Sequence, residues 1–204
     1  MHIVITGGAG FIGSQTAEAL LKRGDTVSVI DVFGYGYDPV HKEHNVELLS
    51  AYDGFKLYRG DIRDRDLLRQ MFSDDRPDVV VHLAARAGVR PSLLEPDSYS
   101  DINITGTLRI METMREFDCN HLVFASSSSV YGSRTKGPFR ETDNVDIPAS
   151  PYAGTKRAGE IFCANYHYLY QMNCTCLRFF TVYGPRQRPE MAIHLFADKI
   201  TLII

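Results

Sequence analysis

The 204-residue chain has no tryptophan, only 4 cysteines and no apolar run of membrane-crossing length. A spanning helix takes about 20 consecutive apolar residues, so a membrane segment is excluded. The first strand pattern begins beside Met1 with no room for a signal peptide, which makes the cytoplasm the expected compartment. Cys119, Cys163, Cys174 and Cys176 have neither a disulfide-framework nor a zinc spacing. Cys174-x-Cys176 falls in a strand pattern, where small buried thiols are common. His41-x-x-His44 lacks further ligands nearby and reads as a solvated turn, so no metal is expected. The net charge of −3 provides no field for nucleic acid or a membrane surface as partner. What is present suffices for a core: 44% of the residues are hydrophobic, which fits one domain, or one domain and part of another.

Strand and helix patterns alternate. Strands are expected at 2–6, 26–30, 55–59, 78–83, 121–126 and 174–180, and helices at 11–23, 41–50, 64–73, 98–117, 151–171 and 190–203. This is the pattern of an α/β fold, a Rossmann-like doubly wound parallel sheet with helices on both faces, whose ligands bind beyond the carboxyl ends of the strands. The first strand runs into Gly7-Gly8-Ala9-Gly10-Phe11-Ile12-Gly13. Glycines at 7, 10 and 13 allow a tight turn, close approach to a pyrophosphate and close helix packing, with the helix N-terminus facing the phosphates. Asp31 ends the second strand, where a carboxylate accepts from both adenosine ribose hydroxyls and repels a 2′-phosphate, so NAD is expected over NADP. Asp61 follows the third strand, placed to meet an adenine amino group. Ala84 and Ala85 follow the fourth, where small side chains leave room for a cofactor.

Ser150-Pro151-Tyr152-Ala153-Gly154-Thr155-Lys156 places a phenol and an ammonium four residues apart just inside a helix start. Ser150 suits the cap and Pro151 the first helical position. One helical face then carries both groups, and a lysine charge beside a tyrosine favours its phenolate, a usable proton acceptor. A second pair with the same spacing, Tyr52 and Lys56, has a glycine between and no cap, and reads as a turn into a strand. The run Ser126-Ser127-Ser128-Ser129 follows an apolar strand and can supply a hydroxyl to a reacting alcohol or ketone oxygen.

In this order the parts resemble the extended short-chain dehydrogenase/reductase superfamily, with its Ser/Thr, Tyr and Lys behind a Gly-x-x-Gly-x-x-Gly loop. The stretches 82–90, 103–107, 126–132, 135–143 and 177–189 are similar to those of NAD-dependent nucleotide-sugar epimerases acting on UDP-glucuronate at carbon 4. The resemblance implies that Tyr152 is the general base, Ser127 its hydrogen-bonding partner on the 4-hydroxyl and Lys156 the clamp on the nicotinamide ribose. It implies an NAD site of Gly7, Gly10, Phe11, Ile12, Gly13, Asp31, Asp61, Ile62, Ala84, Ala85, Asn103, Tyr152, Lys156 and Phe180. It further implies a UDP-sugar substrate whose carboxylate is held by Thr181 and Arg188, with Arg90 and Ser128 as additional candidates. Such a grip matters because the 4-keto uronate is a β-keto acid that loses carbon dioxide when its carboxylate turns freely.

Related dehydratases and UDP-glucuronate decarboxylases place an acidic residue within the stretch occupied here by Ser127–Ser129, and UDP-galactose-type 4-epimerases usually have Asn where Thr181 stands. These are the alternative enzymes. The resemblance divides the chain into residues 1–189, an NAD-binding domain with the catalytic residues, and residues 190–204, the start of a substrate region that family members continue well past this point. It therefore also implies weakened sugar binding, an exposed sheet edge at 174–180 and, as a reading of another class, a catalytically dead NAD-binding fragment. Finally it implies a homodimer through the helices near 98–117 and 151–171, with Leu108, Met111, Phe162 and Tyr166 at the contact.

Overall fold

The computed structural model describes residues 1–34, 38–134, 136–187, 189 and 191–201. Its strands are β1 (His2–Thr6), β2 (Thr26–Asp31), β3 (Phe55–Arg59), β4 (Val79–His82), β5 (His121–Ser127) and β6 (Asn173–Phe179), all parallel, in the order β3-β2-β1-β4-β5-β6. The helices are α1 (Phe11–Arg23), α2 (Pro39–Leu49), α3 (Arg65–Asp75), α4 (Val89–Leu94), α5 (Pro96–Ser100), α6 (Gly106–Glu116), α7 (Pro151–Tyr170) and α8 (Ala192–Thr201).

Alternation along the strands feeds two cores. Ile3, Ile5, Val27 and Val29 meet Ala17, Leu21 and Leu49 of α1 and α2 on one face. On the other, Val4, Ile30, Val80, Leu122 and Phe124 meet Phe72, Met111, Met114 and Cys163 of α3, α6 and α7. Both faces of a parallel sheet are thereby covered, as its crossover helices require. The strand order reverses between β1 and β4, and a crevice opens there beyond the carboxyl ends.

Three elements differ from expectation. The helix expected at 98–117 is α5, a π-helical turn at Asp101–Thr105 and then α6, because the apolar spacing runs unbroken across the extra residue of the π turn. α2 begins at Pro39, two residues early, because Asp38 caps it by accepting from the Val40 N–H at 2.9 Å. His41 and His44 therefore lie on the exposed face of a helix, not in a turn. The short α4 has no apolar period to announce it, since Leu93 and Leu94 are exposed.

Cys119 and Cys163 are buried free thiols, and Cys174 and Cys176 pack against the same core. Among the described residues no cluster could hold a metal ion, and no helix is long and apolar enough to cross a membrane.

Candidate active site

A cleft of about 740 Å³ occupies the crevice, walled by the glycine loop, the ends of β2, β5 and β6, the residues just after β3, β4 and β6, and the first two turns of α7. The glycine loop is tight for identifiable reasons. Gly7 has φ +72°, and a Cβ there would lie 2.8 Å from the Ala84 nitrogen; one on Gly13 would lie 2.4 Å from the Gly7 carbonyl oxygen. Gly8, which does not belong to the expected spacing, is as constrained, since its Cβ would strike Val29 Cγ2 at 2.4 Å. Any side chain at these places would push the loop off the sheet.

Asp31 is buried, and one of its oxygens accepts the Ala9 N–H at 2.9 Å. Its other oxygen accepts from Lys42 Nζ at 2.8 Å, and Lys42 also donates to the Val32 carbonyl at 2.8 Å. Asn45, one turn further along α2, donates to the Ala9 carbonyl at 2.9 Å. Both peptide groups of Ala9 are thus held, one by β2 and one by α2. Lys42 lines the cleft and was missed from the sequence; the only signal was a lysine eleven residues beyond Asp31 on a helix that shows no amphipathic stripe. Asp61 also lines the cleft, with Arg63 gripping both its oxygens at 2.9 and 2.6 Å, and these hydrogen bonds hold its carboxyl below the usual carboxylate range. A carboxylate has about four acceptor sites, so it retains room for another donor.

His82 is buried at the end of β4, and burial, with a smaller contribution from the Lys156 charge, pushes its imidazole down to about 3. The partners define its neutral form. Thr107 Oγ1 donates to the Asn103 carbonyl at 2.6 Å and so accepts from His82 Nε2 at 3.0 Å. Thr6 Oγ1 accepts from the Ala84 N–H at 3.1 Å and so donates to His82 Nδ1 at 2.6 Å. One imidazole thereby joins β1, β4, the Ala84 loop and α6.

Of the expected cofactor residues, Gly7, Gly10, Phe11, Ile12, Gly13, Asp31, Asp61, Ile62, Ala84, Ala85, Tyr152, Lys156 and Phe180 line the cleft. Asn103 does not; its neighbour Ile102 does. The Asn103 amide is buried, donating to the Arg86 carbonyl at 3.0 Å and to Thr155 Oγ1 at 2.9 Å, and accepting the Arg86 N–H at 2.8 Å. It is a clamp between the loop after β4 and α7, because a buried amide in a π turn is satisfied by the nearest free backbone groups.

The reacting groups come from β5 and α7. Ser150 Oγ accepts the Ala153 N–H at 3.1 Å and Pro151 occupies the first turn, so α7 starts where expected. Tyr152 faces the cleft, its ring edge-on to the fully buried Tyr99 at 6.2 Å. Lys156 is buried one turn on, donating to the Ala125 carbonyl at 2.7 Å, with Nζ 5.2 Å from the centre of the Phe124 ring. Burial lowers its ammonium to about 8. Ser127 ends β5, accepting the Ser129 N–H at 3.1 Å and donating to Ser129 Oγ at 3.2 Å. Ser127, 25 residues before Tyr152, thus lines the same cleft as Tyr152 and Lys156.

Ser128 and Thr181 line the same cleft. Arg90 does not: it is exposed on α4. Arg188 lies outside the described residues. The segment after β6 is docked on α1, with Gln15 donating to the Pro185 carbonyl at 3.0 Å and Arg186 paired to Glu18. Buried Gln187 and half-exposed Met191 also reach the cleft.

The profile of the NAD dependent epimerase/dehydratase family matches residues 3–202. The UDP-glucuronate 4-epimerase of Thermodesulfobacterium geofontis is 44% identical over 199 residues, covering 98% of this chain and 61% of the relative. The crystal structure of UDP-glucuronic acid 4-epimerase from Bacillus cereus in complex with UDP-glucuronic acid and NAD superposes with a TM-score of 0.89 at 38% identity, over 99% of this chain and 63% of that one. The Thermus thermophilus UDP-glucose 4-epimerase complexed with NAD gives a TM-score of 0.85 at 36% identity, over 97% and 61%. The chain thus spans about three fifths of the length of these relatives. With a profile match across nearly every residue and a sheet, glycine loop and Ser–Tyr–Lys wall in one crevice, the chain belongs to the NAD dependent epimerase/dehydratase family.

Proposed function

We propose that the protein acts in the NAD-dependent interconversion of UDP-glucuronate and UDP-galacturonate by inversion at sugar C4. The observation that carries this reading is that Ser127, Tyr152 and Lys156 line the same cleft as the glycine loop. NAD fits that cradle: Gly7, Gly10 and Gly13 present backbone with no side chain to displace, Asp31 and Lys42 stand at the adenosine end, and Ala84 and Ala85 leave the middle open. Bound there, NAD would supply the hydride chemistry at the sugar's C4.

The chain's own groups handle the proton and the orientation. Tyr152 takes the proton of the 4-hydroxyl and gives it back, and Ser127 hydrogen-bonds the same oxygen as its charge changes. Lys156 holds the nicotinamide ribose and keeps a positive charge beside Tyr152; at neutral pH its ammonium, near 8, is still mostly protonated. Ser128 and Thr181 present hydroxyls to the sugar carboxylate, and such a grip keeps the keto acid from aligning for loss of carbon dioxide. No carboxylate occupies 127–129, which favours epimerisation over dehydration or decarboxylation. Residues 1–189 form the cofactor and catalytic unit, and residues 190–204 the start of a substrate-holding region. The working unit in this reading is a homodimer through α6 and α7. Met111 and Tyr166 are core residues, and Leu108 and Phe162 are half-buried against that core, so the exposed apolar surface is instead Ile161, Tyr168 and Leu169.

The test is incubation of the purified protein with UDP-glucuronate and NAD, followed by separation of UDP-galacturonate, with Tyr152→Phe as control. Loss of about a hundredfold or more in the variant is expected for removal of a general base. Parallel arms with UDP-glucose and for UDP-xylose release assign a galactose-type epimerase or a decarboxylase. NAD binding with turnover of none of these would replace the proposal by the cofactor-binding fragment.

A further inference from the structure

Beside the cleft lies a charged cluster centred on the buried Glu160; its partner Ser126 lines the cleft, and its partners Arg157 and Arg178 are partly exposed. Glu160 lies on α7 one turn beyond Lys156, and its Oε1 accepts from Ser126 Oγ at 2.6 Å and Arg178 Nε at 2.8 Å. Its Oε2 accepts from Arg178 Nη2 at 3.0 Å and Arg157 Nη1 at 3.1 Å. Burial alone would raise the Glu160 carboxyl, but hydrogen bonds from Arg178 and Ser126 outweigh it and hold the group ionised. A buried ion pair is seldom a net source of stability compared with apolar residues of similar volume, so its retention calls for another use.

Its connections supply one. Ser126 and Arg178 are direct cross-strand neighbours on β5 and β6, and both close on the same carboxylate of α7. One residue earlier on β5 the Ala125 carbonyl receives Lys156 Nζ, and one residue later stands Ser127. From the other side of its guanidinium, Arg178 stacks on Tyr131 at 5.0 Å and donates to the Glu141 carbonyl at 3.2 Å. Tyr131, Phe139 and Phe180 form one aromatic group, and Phe180 lines the cleft. Sliding β5 by one residue would turn Ser127 to the opposite face of the sheet and bring Ser126 or Ser128 to its place, so the register at this point decides which hydroxyl is presented and at what height relative to Tyr152.

We propose that Glu160 and Arg178 are positioning residues: by holding Ser126 to α7 they set Ser127 and the Ala125 carbonyl in register with Tyr152 and Lys156, and through Tyr131 they seat Phe180. The inference rests on the reading of Ser127, Tyr152 and Lys156 as the reacting set. Its tests nonetheless need no sugar.

The experiment uses the 204-residue chain with Arg178→Lys, which keeps the charge but loses the planar fork and leaves the cleft lining intact, Ser126→Ala, which cuts the strand's link and also removes a hydroxyl from the cleft, and Arg178→Met. Lysine side-chain NMR titration and NAD calorimetry are run on each folded variant, with melting temperature recorded alongside. In the parent, Lys156 titrates near 8. In Ser126→Ala and Arg178→Lys it is expected to move up toward the ordinary lysine range as water reaches Nζ, with NAD binding weakened about tenfold. A merely structural cluster would lower the melting temperature and leave both readings at parent values in the folded protein, and that outcome overturns the proposal. Arg178→Met is expected to show the larger shift; should it not fold, the two milder variants decide. Should UDP-glucuronate prove not to be a substrate while Lys156 and NAD binding move as stated, the positioning role stands and the substrate reading falls.

Discussion

Lys42 Nζ lies 2.8 Å from Asp31 Oδ1, both side chains buried, at the end of the cleft where the adenosine ribose would sit. The carboxylate proposed to distinguish NAD from NADP therefore has a cation beside it, and a 2′-phosphate brought there would meet both signs of charge.

Removing the carboxylate alone changes that balance sharply. In Asp31→Ala the ammonium of Lys42 remains to meet the phosphate, and the ratio of NADP to NAD dissociation constants is expected to fall at least about tenfold, or about 1.4 kcal/mol. Calorimetry with both dinucleotides measures it; an unchanged ratio would show that Asp31 does not govern the choice.

The converse change strands a buried anion. Lys42→Met leaves Asp31 with the Ala9 N–H and no counter-charge, and breaking a buried pair in this way costs about 3–5 kcal/mol. Urea denaturation of the cofactor-free protein should show the loss as a lower midpoint at unchanged slope.

His82 makes stability pH-dependent. Its folded value near 3 lies below the ordinary 6.5, so as pH falls through 6.5 the unfolded chain takes the proton first. Stability is complete above about 6.5 and declines by about 1.4 kcal/mol per pH unit below it, hence by about 2 kcal/mol between pH 6.5 and 5.0. Denaturant titrations at those two pH values check the figure, and His82→Gln should lower stability at both while flattening the difference.

Lys156 sets function against stability. Its folded value near 8, against 10.5 when free, means that burying the charge opposes folding at all pH values below about 8, with stability rising from there to about 10.5. Lys156→Met is expected to raise the melting temperature of the cofactor-free protein while abolishing the proposed epimerisation. A lower melting temperature would mean that the bond to the Ala125 carbonyl outweighs the desolvation of the charge.

The proposed dimer is tested at exposed apolar residues of α7. Ile161 and Leu169 are about half exposed on α7, a helix that would otherwise show them to water. Light scattering is expected to give a dimer at micromolar concentration and a monomer for Ile161→Lys; a monomeric parent would exclude the arrangement.

Local chemistry determined much of this protein. Alternating Ile and Val before the glycine loop, the Ser150-Pro151 start of α7 and the four-residue spacing of Tyr152 and Lys156 specify strand, turn and helix from near neighbours alone, and each stands where the sequence puts it. The crevice followed too, since a parallel sheet with crossover helices has one place where the order reverses. Tertiary structure decided what the long-range partners are. Nothing near Lys42 in sequence marks it for Asp31, nothing near Asn103 turns its amide from the cleft toward Arg86 and Thr155, and nothing near Glu160 names Ser126 and Arg178. Buried polar groups bind whichever partners the packing of distant strands and helices brings within about 3 Å, and that packing is a property of the whole sheet.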